Sequence, residues 1–175
     1  MTDFTYIKKL FGIEKSDGFS AEEMQNLLKM SPIVPKVLSD YYTELGKITP
    51  LNATQDVLLS PDKVEWLKNG DHLIFYAENQ WTCVWAIQKT DLPNDNPPVY
   101  MSYDQEAWAK ENQTLSDFFN AMATLQAVLL CLFRPRIFCL SVARSLSSLS
   151  NIFRKSPMIF RSGWERDSTE TLIMR

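Results

Sequence analysis

The chain has 175 residues, 45% of them apolar and 12% aromatic, enough to fill one substantial core. Its net charge of −3 hides an asymmetry: residues 1–125 hold 10 Lys/Arg against 18 Asp/Glu, and residues 126–175 hold 8 against 3. An acidic body lacks the basic face that phosphate binding needs, so nucleic acid is excluded as its ligand, whereas a basic protein partner fits it.

The first residues, Met1-Thr2-Asp3-Phe4, show neither a basic nor an apolar leader region. Cys83, Cys131 and Cys139 are odd in number and lack CxxC spacing. A cytoplasmic protein with reduced thiols is expected. Phe4, Ile7, Leu10 and Phe11 follow a helical stripe that Gly12 can end. Ser20 and Glu23 form a capping box ahead of a buried face of Met24, Leu27 and Leu28. Pro35 starts a helix bearing Val37, Leu38, Tyr41, Tyr42 and Leu45, with Gly46 suited to its C-terminal cap. Tyr41 and Tyr42 read as packing residues rather than ligand contacts. Ser60-Pro61 opens a short helical turn that ends near Asn69-Gly70.

From there the period changes to two. His72–Ala77 reads as a strand, Glu78-Asn79-Gln80 as a tight turn and Trp81–Ile87 as the antiparallel return strand, with Cys83 buried between Trp81 and Trp85. Both faces of the pair are largely apolar, which predicts a central place in a sheet covered by helices on at least one side. An acidic, proline-bounded loop, Asp91–Pro98, leads to a third strand at Val99-Tyr100-Met101. Thr114 caps a helix whose stripe is Leu115, Phe118, Phe119, Met122 and Leu125. Helices, then a strand meander, then a helix define an α+β fold with a mixed or antiparallel sheet.

The apolar run Ala127–Ala143 carries Arg134-Pro135-Arg136 at its middle. Two central arginines cost about 5–7 kcal/mol on insertion, so no membrane span is expected. Between Gln126 and Trp164 there is no Asp or Glu, and residues 141–150 hold five serines. Residues 1–128 are therefore taken as one domain. Residues 129–175 are either a basic, partly disordered extension or a stretch translated out of frame, the latter being preferred, with a terminal strand near Thr171–Met174.

Catalytic constellations are missing from the sequence. The one histidine, His72, reads as a hydrogen-bonded structural residue. No GxSxG, HExxH, paired CxxC, GxxxxGK[ST] or GxGxxG occurs, so no cofactor or metal is expected. The carboxylates Glu78, Asp91, Asp95, Asp104 and Glu106 could form a glycosidase-like pair, but nothing in the spacing sets their separation. Beside aromatic residues they suit the charged rim of a protein-binding surface better.

Ile33-Val34-Pro35 leading into Leu38–Gly46 resembles the proline-started helix of the SUKH superfamily, proteins similar to yeast cell-wall assembly regulators and including many bacterial toxin-immunity proteins. Leu73–Gln80 followed by Val84-Trp85-Ala86-Ile87 resembles that family's central strands, and Asp91, Asn94–Tyr100, Trp108 and Leu115–Phe119 continue in order. The resemblance covers about residues 20–128 and fades beyond Val128. It implies a non-enzymatic role: binding and neutralising a cognate toxin, often a nuclease, inside the producing cell. The contacts expected on that basis are Glu78, Asn79, Gln80, Asp91, Asp95 and Asp104, with Tyr76 and Trp81 as aromatic anchors. A regulatory or scaffold module of the same fold, with an endogenous partner, is the alternative.

Overall fold

The computed structural model describes residues 2–133; of the tail taken to begin at 129, residues 129–133 continue the last helix, and the readings from 134 on, including the strand at 171–174, fall outside the described residues. Four helices come first: α1 (Thr5–Phe11), α2 (Ala21–Met30), α3 (Lys36–Leu45) and α4 (Thr49–Asn52). Six strands follow, β1 (Asp56–Leu58), β2 (Glu65–Trp66), β3 (His72–Glu78), β4 (Val84–Gln88), β5 (Val99–Ser102) and β6 (Ala109–Asn112), and then α5 (Leu115–Phe133). All pairings are antiparallel, in the order β1-β3-β4-β5-β6, and β2 shares the outer edge of β3 with β1. The fold is a single-domain α+β.

Local chemistry accounts for the helix ends. Gly12 takes a left-handed φ of 63° and returns its N–H to the last carbonyls of α1. Ser20 and Glu23 make the full capping box of α2. Pro35 sits just before α3, which starts at Lys36, and Thr114 Oγ1 accepts from Asp117 N (3.1 Å) at the start of α5. Gly46 is right-handed, contrary to a left-handed cap; a Cβ there would lie 2.6 Å from the Phe19 ring, so close packing requires the glycine.

Several expectations change. The Ser60-Pro61 turn gives way to the short strand β2 instead of continuing helically, and β6 is a strand that its charged residues conceal. Leu28 is 49% exposed; only Met24 and Leu27 of the predicted α2 face are buried. The return strand starts at Val84 rather than Trp81, because Trp81 adopts a left-handed φ of 60° within the turn.

The core lies between α5 and one face of the sheet. A bulge in β3 sets Phe75 and Tyr76 together opposite Trp85, and both rings meet Phe118 of α5, with centroids 5.5 and 5.4 Å away. Phe119 stacks flat on Tyr41 at 3.6 Å, joining α3 to the same layer. Tyr41 and Tyr42 are fully inside, as packing residues, and their hydroxyls donate to Asn52 Oδ1 (2.9 Å) and the Leu59 carbonyl (2.6 Å). The buried stripe of α5 continues through Ala123 to Gln126 and Ala127 rather than through Leu125, which is only partly buried. Gln126 bridges helix and sheet: its Oε1 accepts from Gln55 N (2.8 Å), while its Nε2 donates to the Asp56 carbonyl (2.6 Å) and the Tyr76 hydroxyl (3.2 Å). No helix among the described residues is long and apolar enough to cross a membrane.

Candidate functional site

Strand order sorts the eight residues singled out as contacts. The turn between β3 and β4 and the loop between β5 and β6 leave the same end of the sheet from neighbouring strands, since Val84 pairs with Ser102. Glu78, Asn79, Gln80, Trp81 and Asp104 therefore share one end. Asp91 and Asp95 lie at the other, separated by the length of β4, about 16 Å.

At the first end, Trp81 is 50% exposed and Tyr103 is 70% exposed, and Asn79, Gln80 and Glu106 are exposed as well. Each loop is organised by its own carboxylate. Glu78 accepts from Gln80 N (2.7 Å), Thr82 Oγ1 (3.0 Å) and Gln55 Nε2 (3.1 Å). Burial acts to raise its pKa, yet these hydrogen bonds hold it below the usual carboxylate range. Asp104 accepts from Ala107 N (2.9 Å), Glu106 N (2.9 Å) and Ser102 Oγ (3.0 Å), bonds that also lower its pKa. The non-glycine residues with positive φ among those described are Trp81 and Gln105, one in each of these loops. Neither 78–83 nor 102–107 contains a Lys or Arg.

Beneath the turn, Asp56 of β1 pairs directly with Glu78 of β3. Burial and the Glu78 charge push its carboxyl up to about 6. The reduced thiol of Cys83 is buried as predicted, and burial first, then Asp56, Glu78 and Glu111, push it up to about 12. Such a thiol is not a nucleophile at neutral pH. Tyr76 needs correction. It is 1% exposed in the α5 interface, so it is a core residue and not a surface anchor.

The Asp91–Asn96 loop is built into the body. Asp91 accepts from the Tyr100 hydroxyl (3.2 Å), the Asp95 carbonyl accepts from Val37 N (3.0 Å) at the start of α3, and Asn96 Oδ1 accepts from Ser116 N (2.9 Å) in the first turn of α5. The loop seats two helix N-termini. His72 is also explained differently from expectation: its Nδ1 is buried without a hydrogen-bond partner among the described residues, and the ring stacks on Trp108 at 4.2 Å. Burial lowers its pKa, against the opposing pull of Asp71 and Asp91. No group of three His, Cys, Asp or Glu among the described residues could hold a metal ion.

Tyr103 and Gln126 are absent from the sequence-derived set, and Glu106 figures there among the rim carboxylates but not among the expected contacts. Ser102-x-Asp104-x-Glu106-Ala107 does carry the side-chain-to-backbone turn chemistry of a shaped loop, and that signal points to Tyr103 as its displayed residue. A scan of family models finds no match for the chain, and neither a search of curated proteins nor one of solved structures returns a match.

Proposed function

We propose that the chain is a non-enzymatic, immunity-type protein that binds and neutralises a basic toxin domain, of the nuclease kind, by one-to-one occlusion in the cytoplasm of the producing cell. One observation carries the reading: two internally pinned loops at the same sheet end display Trp81 and Tyr103 beside Glu78, Asp104 and Glu106, with no cation in either loop. Exposed aromatics within an acidic rim form a hot spot that a phosphate-binding, cationic face matches. Glu78 and Asp104 supply charge and hold the loops, while the flexible ammonium and guanidinium groups lie on the partner. The ordered SUKH-like run over residues 20–128 supports the same reading. Occlusion needs no chemistry from this chain; it needs only that its surface compete with nucleic acid for the toxin's basic cleft.

The test is co-expression of the full chain with the toxin encoded beside its gene. Growth rescue is expected, together with a one-to-one complex whose association slows as salt rises. Growth arrest in the presence of folded full-length protein would overturn the proposal. An endogenous partner bound instead would favour the regulatory module.

A further inference from the structure

Resting on that reading, we infer that the displayed pair Trp81 and Tyr103 receives arginine side chains of the partner, with Glu106 as the free counter-charge and with Glu78 and Asp104 as positioning residues. The roles follow from what each group already touches. The Glu78 carboxylate takes three hydrogen bonds across both its oxygens and the Asp104 carboxylate takes three on Oδ1, so each is held to its loop, and of the two only Asp104, through Oδ2, keeps an oxygen open beside Glu106. Glu106 carries an exposed side chain in a loop otherwise satisfied from within. The two rings are the large apolar groups of this end, and an exposed ring face beside carboxylates attracts a cation.

Arginine rather than lysine is the matching group. Its planar guanidinium stacks on an aromatic face and still offers edge N–H donors to a carboxylate, whereas an ammonium is a strongly hydrated point charge. Rings elsewhere in this molecule attract cations, there the ammonium groups of its own lysines: Lys110 Nζ lies 5.6 Å from the Tyr100 ring and Lys47 Nζ lies 5.4 Å from the Phe19 ring. No such cation–ring contact is found for Trp81 or Tyr103 among the described residues, and their own loops contain none to supply one. The left-handed backbone at Trp81 keeps the ring turned out of the β4 alternation that would otherwise bury it.

The experiment titrates the full chain with hexaarginine amide, using hexacitrulline and hexalysine as controls, and follows indole N–H and tyrosine ring signals by NMR. Hexaarginine should shift the Trp81 and Tyr103 signals and bind more tightly than hexalysine, with hexacitrulline silent. Trp81→Gly, which preserves the left-handed turn, and Tyr103→Ser should each weaken binding about tenfold. Glu106→Gln should reduce its salt dependence, and a Asp91→Asn/Asp95→Asn double variant should change neither. Unaltered hexaarginine binding by the Trp81→Gly/Tyr103→Ser double variant, or shifts centred on the Asp91 loop, would overturn the inference. Growth rescue separates the two levels. Rescue by wild type and by the double variant alike removes the arginine site and keeps the immunity reading; arginine binding at Trp81 without rescue removes the immunity reading alone.

Discussion

At one end of the sheet the Asp91–Asn96 loop gives the Asp95 backbone carbonyl to α3 and the Asn96 side chain to α5, although the Asp95 side chain itself is exposed. At the other, Glu78 and Asp104 direct theirs chiefly into their own loops, leaving Trp81 and Tyr103 displayed. Both ends are acidic and both border aromatic residues, so composition does not separate them. What separates them is where the hydrogen bonds close. A loop whose acceptors are taken by distant helices is part of the scaffold, while a loop that satisfies itself is free to present side chains to a partner.

This contrast can be broken or sharpened by substitution. The largest effect belongs to Gln126, which pins α5 beneath the displaying end. Gln126→Ala strands the Gln55 N–H and the Asp56 carbonyl, and should cost about 3 kcal/mol in urea denaturation. A loss confined to a few tenths of that would show that the displaying end does not depend on the helix.

Asp56 comes next. Its folded-state pKa, about 6, lies above the ordinary value of 3.8, so the protonated form favours folding. The stabilisation is complete below about pH 4 and is lost as pH rises through 6. Asp56→Asn should therefore be more stable than wild type at pH 7.5 by about 1 kcal/mol, after allowing for solvent screening, with the advantage vanishing near pH 4. Stability curves of equal pH slope for the two proteins would contradict that assignment.

A comparable difference should separate two truncations at Trp81. Both remove the ring, but only glycine adopts φ near 60° without a Cβ penalty, so Trp81→Gly should exceed Trp81→Ala in stability by about 1 kcal/mol. Equal midpoints would mean that the turn relaxes in the alanine variant. The smallest effect is at the scaffold end. Asp91→Asn weakens one hydrogen bond to Tyr100 and should shift stability by about 0.5 kcal/mol, with binding to a basic partner unchanged. A binding defect there would restore Asp91 to the contact surface.

Much of this architecture was readable along the chain because its causes are local. Gly12, the Ser20/Glu23 box and Thr114 end or start helices through bonds to residues three or four positions away, and the alternation of 72–77 and 84–87 reports two faces of one strand pair. The helical stripe of α5 is equally local until Gln126, whose polar side chain breaks the apolar pattern although geometry places it in the seam.

The exposure of the proposed surface was only half readable, for a physical reason. Trp81 could be named as an anchor because an aromatic beside a polar turn is visible in sequence, but Tyr76 five positions earlier looks the same and is buried. The β3 bulge turns Tyr76 toward Phe118, a residue 42 positions away, and no local period encodes that contact. Likewise, whether an acidic loop lies beside Trp81 or a strand length from it depends on the β3-β4-β5-β6 order. Caps, turns and face alternation belong to neighbours in the chain. Which acids gather round which ring, and which ring meets solvent, depends on pairings between distant segments, whose energy exists only once the sheet has formed and α5 has closed over it.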